Sequence, residues 1–500
     1  KDPNNNKKGK AKGSQGHGRK KEDHLETKAE IIDLNESEKK CACCGLDFED
    51  LGVTSDSEII EIEVKAHRRV IKRKNYKKTC ECKITPAIIR PPCVPKVIPK
   101  GKFGISFWVY ILIQKFCFHM PINRIIGQLL SHGLKVSGGT ISGGLNKIGK
   151  LLIPIINEIQ QRNQGEHHWH ADETRGFVFI SYKDKKGHLW YVWIFRSETT
   201  VYFKISPTRG AIVVEDHYKN SFGVISADRY GAYKVLLKTG LFLIAYCWAH
   251  VRRDFLEIEN SHSNFADWAR SWVEQIGLIY HINNDRMKRQ IDSLEFDKKQ
   301  KLLQEEILKM RVRFEDELSH FQDEFPSARR KVLESLKKHW SGLVLFVQYH
   351  WIPMDNNTAE RGIRGPVQGR KNYYGSGSVE SSETASMSFS ITGTLDLWDI
   401  NNNLWFTNYL QACAENKGQP PQDLSHFLPW KMTSEQLKKY GSNSSPKTYS
   451  DITKEQIKCA IEGDSFLKKK LKPSKDSSKK PPFPNTDARF QKKYVKSSTG

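Results

Sequence analysis

The sequence predicts an α/β protein in which helices cover a mixed β-sheet and a long helical insertion interrupts the sheet-forming chain. Two observations carry this expectation. From residue 166 three β-like runs follow one another, and strand-like and helix-like segments then alternate up to residue 261. Sequential strands pair antiparallel and strands joined through a helix pair parallel, so both kinds of pair should occur. Residues 262–345 then become helical and highly charged, without a strand pattern.

Composition favours a polyanionic partner. The 500 residues carry a formal charge of +23, and the part between the two basic ends is basic by itself. A folded body with an excess of cations points to nucleic acid. Ten cysteines are too few for a disulfide scaffold, and no apolar run is long enough to cross a bilayer. We therefore expect a soluble protein in a reducing compartment, with no membrane partner.

Changes in composition along the chain predict seven segments. Lys- and Asn-rich or Lys/Pro/Ser-rich sequence without periodicity marks both ends as disordered. Cysteines, helical patterns and β-like runs mark the segments between. In chain order the segments are a basic arm (1–30), a cysteine-rich module (31–95), a helical region (96–165), the first sheet-forming part (166–261), the helical insertion (262–345), a final part returning to the sheet (346–431) and a basic tail (432–500).

The cysteine-rich module has the spacing of a structural zinc site. Cys41 and Cys44 form a C-x-x-C knuckle, and Cys80 and Cys82 form a second pair beyond a basic, β-like stretch. Two such pairs can supply four thiolates to a tetrahedral Zn²⁺. The second pair has one intervening residue where two are usual, so an empty site is the alternative. Other candidate ligands are Cys43 and Cys93.

The helical region has the pattern of a helix-turn-helix. Pro121 marks a helix start, Gly133 a helix end and Ser137 the start of the next helix. Two short helices around the turn "HGLKVS" would be a DNA-contacting unit, and a small helical spacer is the alternative. Glycines in the second helix count against base reading because they carry no side chain. They lie at positions 138, 139, 143 and 144.

The sheet-forming part predicts five strands. "GFVFISY" and "LWYVWIF" are joined by the polar loop "KDKKGH" and predict a hairpin, and "TVYFKIS" follows as a third strand. "FGVISAD" and "LFLIAYCW" are apolar runs typical of buried strands. A helix between them ends at Gly240, and another helix follows the fifth strand. In this interpretation Asp172 lies at the start of the first strand and Asp228 ends the fourth.

Three carboxylates become informative when they are considered together. Singly, Asp172 could make a turn, Asp228 could cap a helix, and Glu360 lies at capping-box spacing from Asn357. Neighbouring strands and a packed helix can nevertheless bring all three together. Clustered carboxylates repel one another, and a divalent cation such as Mg²⁺ compensates that repulsion. Two such ions catalyse phosphoryl transfer, so we expect chemistry on a nucleic-acid backbone.

Two groups of cations are candidate DNA contacts. The first lies on the basic stretch between the cysteine pairs, and an ordinary solvated hairpin face is the alternative. The second follows Glu360, and no acid occurs after it until Glu380. Cations beside a metal site suit a phosphate backbone. The candidates are Arg68, Arg69 and Arg73 in the first group and Arg361, Arg364, Arg370 and Lys371 in the second.

Several blocks between residues 31 and 431 occur in an order that resembles a known family. They are "HADET" (170–174), "SADRYGAY" (226–233), "CWAHVRRDF" (247–255), "DNNTAERGIRGPVQGRKNYYGSGS" (355–378) and "FLPW" (427–430). The chain resembles transposases of the insertion sequence 66 family, in the DDE class on the ribonuclease-H-like fold. The resemblance implies a catalytic triad of Asp172, Asp228 and Glu360, and a C-x-x-H element that puts Cys247 and His250 nearby. A satisfied core histidine is the alternative for His250.

The resemblance implies a DNA transposase. It would cut transposon ends and join the 3′-hydroxyl to target DNA with two Mg²⁺ (or Mn²⁺) ions, beside a structural Zn²⁺ in residues 31–95. Its partners would be double-stranded DNA, further copies of itself on that DNA and accessory proteins, and it would be cytoplasmic and nucleoid-associated in a prokaryote. A non-catalytic DNA-binding protein derived from a transposase is the alternative, and a junction resolvase of the same fold is a third candidate.

Overall fold

The computed structural model divides into two compact units, residues 1–64 and 65–500, which are described separately. The predicted arm (1–30) and most of the predicted tail lie outside the described residues. In the first unit the described residues form no helix or regular strand. The structure describes residues 31, 33–36, 38–39, 43–44, 46–47, 49, 52, 60, 64–81, 83–84, 86–180, 187–320, 327–443 and 454–463.

The second unit begins with an extended basic segment. Residues 65–75 carry no strand pairing, whereas the sequence predicted strands throughout this stretch. Only β1 (Tyr76–Lys77) and β2 (Ile88–Ile89) pair, antiparallel, and both are exposed. The alternation of Ile, Val and basic residues resembles a strand, but residues 65–77 are almost all exposed, so neither face of the stretch is buried.

Three helices follow, where the sequence predicted helices. They are α1 (Ile105–Leu112), which continues into a π-helical turn (Ile113–Cys117), α2 (Ile122–Ser131) and α3 (Gly138–Gln164). Pro121 is the N-cap of α2, and the Ser137 hydroxyl accepts the Thr140 N–H at the start of α3. The predicted boundaries of these helices are thus confirmed.

The helix after the "HGLKVS" turn differs from the short helix expected for a helix-turn-helix. α3 is 27 residues long, and its apolar face lies in the core. Its glycines serve close packing: a Cβ on Gly144 would lie 1.9 Å from the Trp108 ring, and one on Gly149 would lie 2.4 Å from the Thr384 hydroxyl. The helical region therefore packs into the same compact unit as the sheet.

A five-stranded mixed sheet forms the centre of the second unit. Its strand order is β5-β4-β3-β6-β7; β3, β4 and β5 pair antiparallel, and β6 runs parallel to both β3 and β7. This confirms the predicted mixed sheet and its five strands. The strands are β3 (His168–Phe177), β4 (Leu189–Arg196), β5 (Val201–Ser206), β6 (Gly223–Ala227) and β7 (Phe242–Tyr246).

β3 starts earlier than the sequence suggested. It begins at His168, so Asp172 lies inside the strand and not at its start, where the sequence placed it. Trp169 and Ala171 are fully buried, and Asp172 lies opposite Ile194 of β4. The start of the strand is not evident from the sequence "HADET", because its buried apolar residues alternate with polar residues of the site.

Short helices connect the later strands. α4 (Ile212–His217) joins β5 to β6, and α5 (Gly231–Lys234) with a 3₁₀ turn (Val235–Thr239) joins β6 to β7. The turn ends at Gly240, whose φ of 72° is the left-handed conformation that glycine adopts without strain. These crossovers make the two parallel pairs possible.

The helical insertion is built as the charged, periodic sequence predicts. A stacked pair, Phe255 with Trp272, lies in its core at a centroid separation of 5.2 Å. The chain returns to the sheet at Gly342, where a Cβ would overlap the Ile244 carbonyl of β7. The helices of this part are α6 (Trp248–Ser261), α7 (Ala266–Met287), α8 (Leu294–Ser319), α9 (Ala328–Leu343) and α10 (Leu345–Gln348).

The rest of the described chain is helical and covers the sheet. α12 packs along the edge strand β5 and supplies hydroxyls to its backbone. The N–H groups of Val201 and Phe203 donate to Thr394 Oγ1 (3.0 Å) and Ser390 Oγ (2.8 Å). The helices are α11 (Asn357–Tyr373), α12 (Val379–Leu397), α13 (Asn402–Glu415), α14 (Ser434–Lys439) and α15 (Lys454–Gly463). None of the described helices has both the length and the apolarity that a membrane crossing requires.

Candidate active site

The sheet register brings Asp172 and Asp228 side by side. β3 and β6 run parallel, with His170 opposite Ser226. Two residues further along each strand, the same register reaches Asp172 and Asp228. Asp228 directly follows the last residue of β6, at the carboxyl end of the strand. Ligands of open α/β sheets bind at such carboxyl ends.

Helix α11 places Glu360 over this pair. Glu360 lies in the first turn of α11, and the helix packs on β3 and β4. The contact is close because Gly362 has no side chain: a Cβ there would lie 2.6 Å from Ile194 Cδ1. Ile194 is the cross-strand neighbour of Asp172. The helix therefore approaches the sheet at the position of the first aspartate.

The charges of the other two acids act on Asp172. Burial, together with the charges of Glu173, Asp228 and Glu360, raises the pKa of Asp172 to about 7, against one lowering contact from the Glu173 N–H. Repulsion of this kind, without a bound cation, favours the protonated acid. Glu360 Oε1 is also buried without a hydrogen-bond partner among the described residues. Hard oxygen donors with uncompensated charge fit a divalent cation such as Mg²⁺.

The capping role considered for Glu360 is not observed, whereas Asp228 bonds to the backbone at the start of α5. Glu360 is not the capping-box partner of Asn357, because the N-cap is Asn356 and the Asn357 N–H donates to Asp355 Oδ1 at 3.0 Å. Asp228 does accept the Tyr230 N–H, at 2.9 Å, so it makes the turn that starts α5 as well as facing Asp172.

Asn356, which is not among the residues predicted from the sequence, joins the elements that carry the site. It is 1% exposed. Its amide donates to the Ala171 carbonyl at 2.8 Å, and its Oδ1 accepts from His170 Nδ1 at 3.0 Å. Burial lowers the pKa of His170 to about 4, so this ring is neutral near pH 7. The N-terminus of α11 is thereby fixed to β3 beside Asp172.

Cys247 extends the same connection to the second aspartate. The Asn356 N–H donates to Cys247 Sγ at 3.1 Å, and the Cys247 N–H donates to the carbonyl of Ala227 at 3.0 Å. Ala227 is the residue before Asp228. The block "DNNTAER" and the "CWAH" element thus contact each other. The one sequence signal for Asn356 is its place in the block that also carries Glu360.

The C-x-x-H element also contacts Glu360. His250 Nδ1 lies 3.6 Å from Glu360 Oε1. One ligand atom from each of Cys247, His250 and Glu360 falls within 4.8 Å of the others. The described residues therefore place a thiol, an imidazole and a carboxylate together, as the resemblance implied for Cys247 and His250.

Glu173 supports the site from the neighbouring position of β3. Its side chain is 1% exposed and forms an ion pair with Arg209, with Nη2 and Oε1 2.5 Å apart. The Tyr233 hydroxyl donates to its other oxygen at 2.7 Å. Arg209 in turn lies 3.9 Å from the centroid of the Tyr230 ring. Glu173 therefore connects β3 to the segment that follows Asp228.

The predicted DNA-binding cations lie in different environments. Arg361, Arg364 and Lys371 are exposed on α11, whereas Arg370 donates to the Arg175 carbonyl and to Thr174 Oγ1 at 3.3 Å, so it also fastens α11 to β3. In the extended basic segment Arg68 and Arg69 are exposed, and Arg73 donates to the Pro91 carbonyl at 3.1 Å.

The predicted zinc ligands are described only in part. Cys41 and Cys82 lie outside the described residues. Cys44 and Cys80 are exposed and belong to different compact units. Of the alternative ligands, Cys43 and Cys93 are exposed as well. The zinc prediction therefore stays a prediction.

The fold and the site define an α/β protein with a carboxylate cluster at the carboxyl ends of parallel strands, covered by a helix rich in arginine. Comparison with known families then identifies the chain. Residues 100–384 match the family described as "Transposase IS66 family". The chain belongs to this family, which confirms the resemblance and a transposase role, with DNA as the partner that the family implies.

Relatives occur in Sinorhizobium fredii (strain NBRC 101917 / NGR234). The chain is 27% identical over 415 residues to one described as "Uncharacterized protein y4hP", a match that covers 78% of this chain and 73% of the relative. It is 22% identical over 417 residues to "Uncharacterized protein y4jD", covering 80% and 79%. The similarity to these relatives thus extends over most of each protein.

Proposed function

We propose that this chain is a DDE transposase that cuts transposon ends and joins the freed 3′-hydroxyl to target DNA. Asp172, Asp228 and Glu360 are its catalytic triad, on a ribonuclease-H-like sheet. The observation that carries the proposal is the placement of the three acids: the parallel register of β3 and β6 leads to Asp172 and Asp228, and α11, which carries Glu360, packs on β3. The strand order, with three antiparallel strands followed by two parallel ones, supports the proposed fold.

Each acid has a defined role in this proposal. Two Mg²⁺ (or Mn²⁺) ions held by the three carboxylates would activate the attacking oxygen and stabilise the leaving oxygen of a phosphodiester. Asp172 and Asp228 would bind the ions from the rigid sheet, and Glu360 would bind them from α11. Asn356 and Cys247 keep the three carrying elements in register. Arg361 and Arg364, exposed on α11, bind the DNA backbone beside the site.

The remaining segments are assigned as the sequence suggested. Residues 31–95 form a zinc-binding module in which Cys41, Cys44, Cys80 and Cys82 hold Zn²⁺ and basic residues contact DNA. Residues 96–165 contribute to recognition of the transposon ends, supported by the exposed cations along this region. The protein acts as a homo-oligomer on DNA, with accessory proteins as further partners.

Substitution of Asp172 tests the proposal. Asp172→Asn should abolish Mg²⁺-dependent nicking of a transposon-end duplex and leave its binding to that duplex unchanged. Asp267→Asn, at a side chain 99% exposed on α7, is the matched control and should nick like the unchanged protein. Nicking by the Asp172→Asn variant at the normal rate contradicts the triad. Loss of DNA binding together with nicking contradicts the proposal that Asp172 serves the chemistry and not the binding of DNA.

The alternative function is a DNA-binding protein without chemistry, derived from a transposase. Its support is the basic body of the chain. A product assay distinguishes the candidates: a transposase joins a pre-cut end to a target plasmid, a junction resolvase cuts without joining, and a binding protein shifts the DNA in a gel without changing it.

A further inference from the structure

A second set of possible metal ligands adjoins the carboxylate site. Cys247 is the N-cap of α6, and His250 lies one turn further along that helix. The C-x-x-H spacing puts the thiol and the imidazole on the same side of the first turn. Glu360 approaches the same point from α11, so that the three donor atoms lie within 4.8 Å of one another. Glu360 is thus shared between two groups of side chains.

The two groups differ in chemical hardness. Asp172 and Asp228 offer only carboxylate oxygens, which Mg²⁺ prefers. Cys247, His250 and Glu360 offer sulfur, nitrogen and oxygen, the donor set of Zn²⁺. Each group is therefore matched to a different kind of ion, and one carboxylate belongs to both.

The distances fit a tetrahedral zinc ion after small side-chain movements. Zinc–ligand bonds of about 2.0–2.3 Å separate tetrahedral donors by roughly 3.3–3.8 Å. His250 Nδ1 and Glu360 Oε1 are already 3.6 Å apart. Both atoms are buried and have no hydrogen-bond partner among the described residues. Buried polar atoms normally have hydrogen-bond partners, so these two unpartnered atoms are available to bind a metal ion.

We propose that Cys247, His250 and Glu360 bind Zn²⁺ and that occupancy of this site inhibits the enzyme by withdrawing Glu360 from the aspartates. Water would supply the fourth ligand. The alternative is that His250 and Glu360 form only an ion pair without a metal role. Zinc binding stands independently of the proposed function, whereas the inhibition rests on it.

Cobalt spectroscopy on the full chain tests the binding. Co²⁺ replaces Zn²⁺ and gives a thiolate charge-transfer band. We expect His250→Asn and Cys247→Ser each to lower the bound Co²⁺ by one equivalent relative to the unchanged protein, with the predicted cysteine module unaffected. Cys413→Ser, which removes a buried thiol from α13, is the matched control and should bind the full complement. Equal Co²⁺ stoichiometry in all four proteins overturns the proposal.

A zinc titration of Mg²⁺-dependent nicking tests the inhibition. We expect His250→Asn to raise the Zn²⁺ concentration for half-inhibition by about tenfold or more, because one ligand is lost. If the unchanged protein and His250→Asn are half-inhibited at the same Zn²⁺ concentration, the proposed inhibition is wrong, while the observed nicking still supports the proposed transposase activity. Absence of nicking at every Mg²⁺ concentration, with the Co²⁺ equivalent still lost on substitution, overturns the proposed function and upholds the metal site.

Discussion

At the scale of single residues, the raised pKa of Asp172 has a consequence for stability. The acid titrates near pH 3.8 in an unfolded chain and at about 7 in the folded one. The folded chain therefore holds the proton more tightly, and without a metal it loses stability as the pH rises from about 4 to about 7. A bound divalent cation removes this loss because it stabilises the ionised form.

Asp172→Asn should accordingly stabilise the metal-free protein at pH 8, by up to about 4 kcal/mol, and change little near pH 4. Thermal unfolding in EDTA at both pH values measures this. Added Mg²⁺ should raise the Tm of the unchanged protein at pH 8 and have little effect on the variant. A stabilisation that is the same at both pH values would mean that the charge of Asp172 is not its cause.

Asn356 should be a positioning residue. Asn356→Ala leaves the Ala171 carbonyl and His170 Nδ1 without their buried partner, which costs about 2–4 kcal/mol in the free energy of unfolding. It should also reduce nicking roughly tenfold to a hundredfold, since small displacements of a catalytic group are costly.

The neighbouring Asn357→Ala is the matched control for Asn356→Ala and should change both quantities little. Binding of the transposon end should persist in both variants. The readout specific to positioning is the Mg²⁺ concentration for half-maximal nicking, which should rise in Asn356→Ala. An unchanged Mg²⁺ requirement would reduce Asn356 to a purely structural residue.

The three acids were proposed as a triad from the sequence because the motif around each of them is a short local block. The role of Asn356 could not be predicted, because it depends on contacts between residues more than a hundred positions apart. Cys247 was placed near the acids by the resemblance, but its bond to Asn356 was not predicted. The interactions of Arg370 were hidden for the same reason: its partners lie on β3. A cation in a basic run resembles a DNA contact until its hydrogen bonds are known.

At the scale of elements, adjacent glycines of α3 differ in what surrounds them. Gly143 faces open space, whereas a Cβ on Gly144 would overlap the Trp108 ring. Gly143→Ala should therefore stabilise the protein by about 0.5–1 kcal/mol through helix propensity. Gly144→Ala should destabilise it by about 1–3 kcal/mol or more through overpacking.

Chemical denaturation of the two α3 variants measures the difference between these glycines. Each variant is the control for the other, because both add one methyl group to the same turn. Equal effects of the same sign would contradict the packing of α3 against α1.

Element boundaries were predictable where a capping or turn residue marks them, as at Ser137 and Gly240. They were not predictable where tertiary contacts decide. β3 gains its first residues from pairing with β4 and β6, despite a polar sequence. α12 is rich in serine and threonine, which are poor helix formers, because its hydroxyls bond to a strand edge.

At the scale of the whole molecule, the insertion is attached to the loop that carries the second aspartate. Arg229, next to Asp228, donates to Asp254 of α6 at 2.6 Å and to Ser335 of α9 at 2.9 Å. The long helices therefore help to hold this side of the site, although they contribute no acid to the triad.

The net charge predicts strong salt dependence of DNA binding. Arg361→Gln combined with Arg364→Gln should lower the slope of log affinity against log salt by about 2, because each phosphate contact contributes about 0.9. Lys298→Gln combined with Lys309→Gln on α8 removes the same charge from exposed positions and is the control. Fluorescence anisotropy across a salt series measures both slopes. Equal slopes in the two double variants would place the DNA elsewhere.

The hydroxyls of α12 that bond to β5 also close the sheet against other molecules. An uncovered edge strand is a template on which a second chain can add, which is how many proteins aggregate. Ser390 follows Phe203 by 187 residues. At a synthesis rate of about 5–20 residues per second, the edge of β5 stays uncovered on the ribosome for roughly 10–40 s. Crowded synthesis of many copies would let these edges meet, so slow expression at low levels should favour the soluble protein.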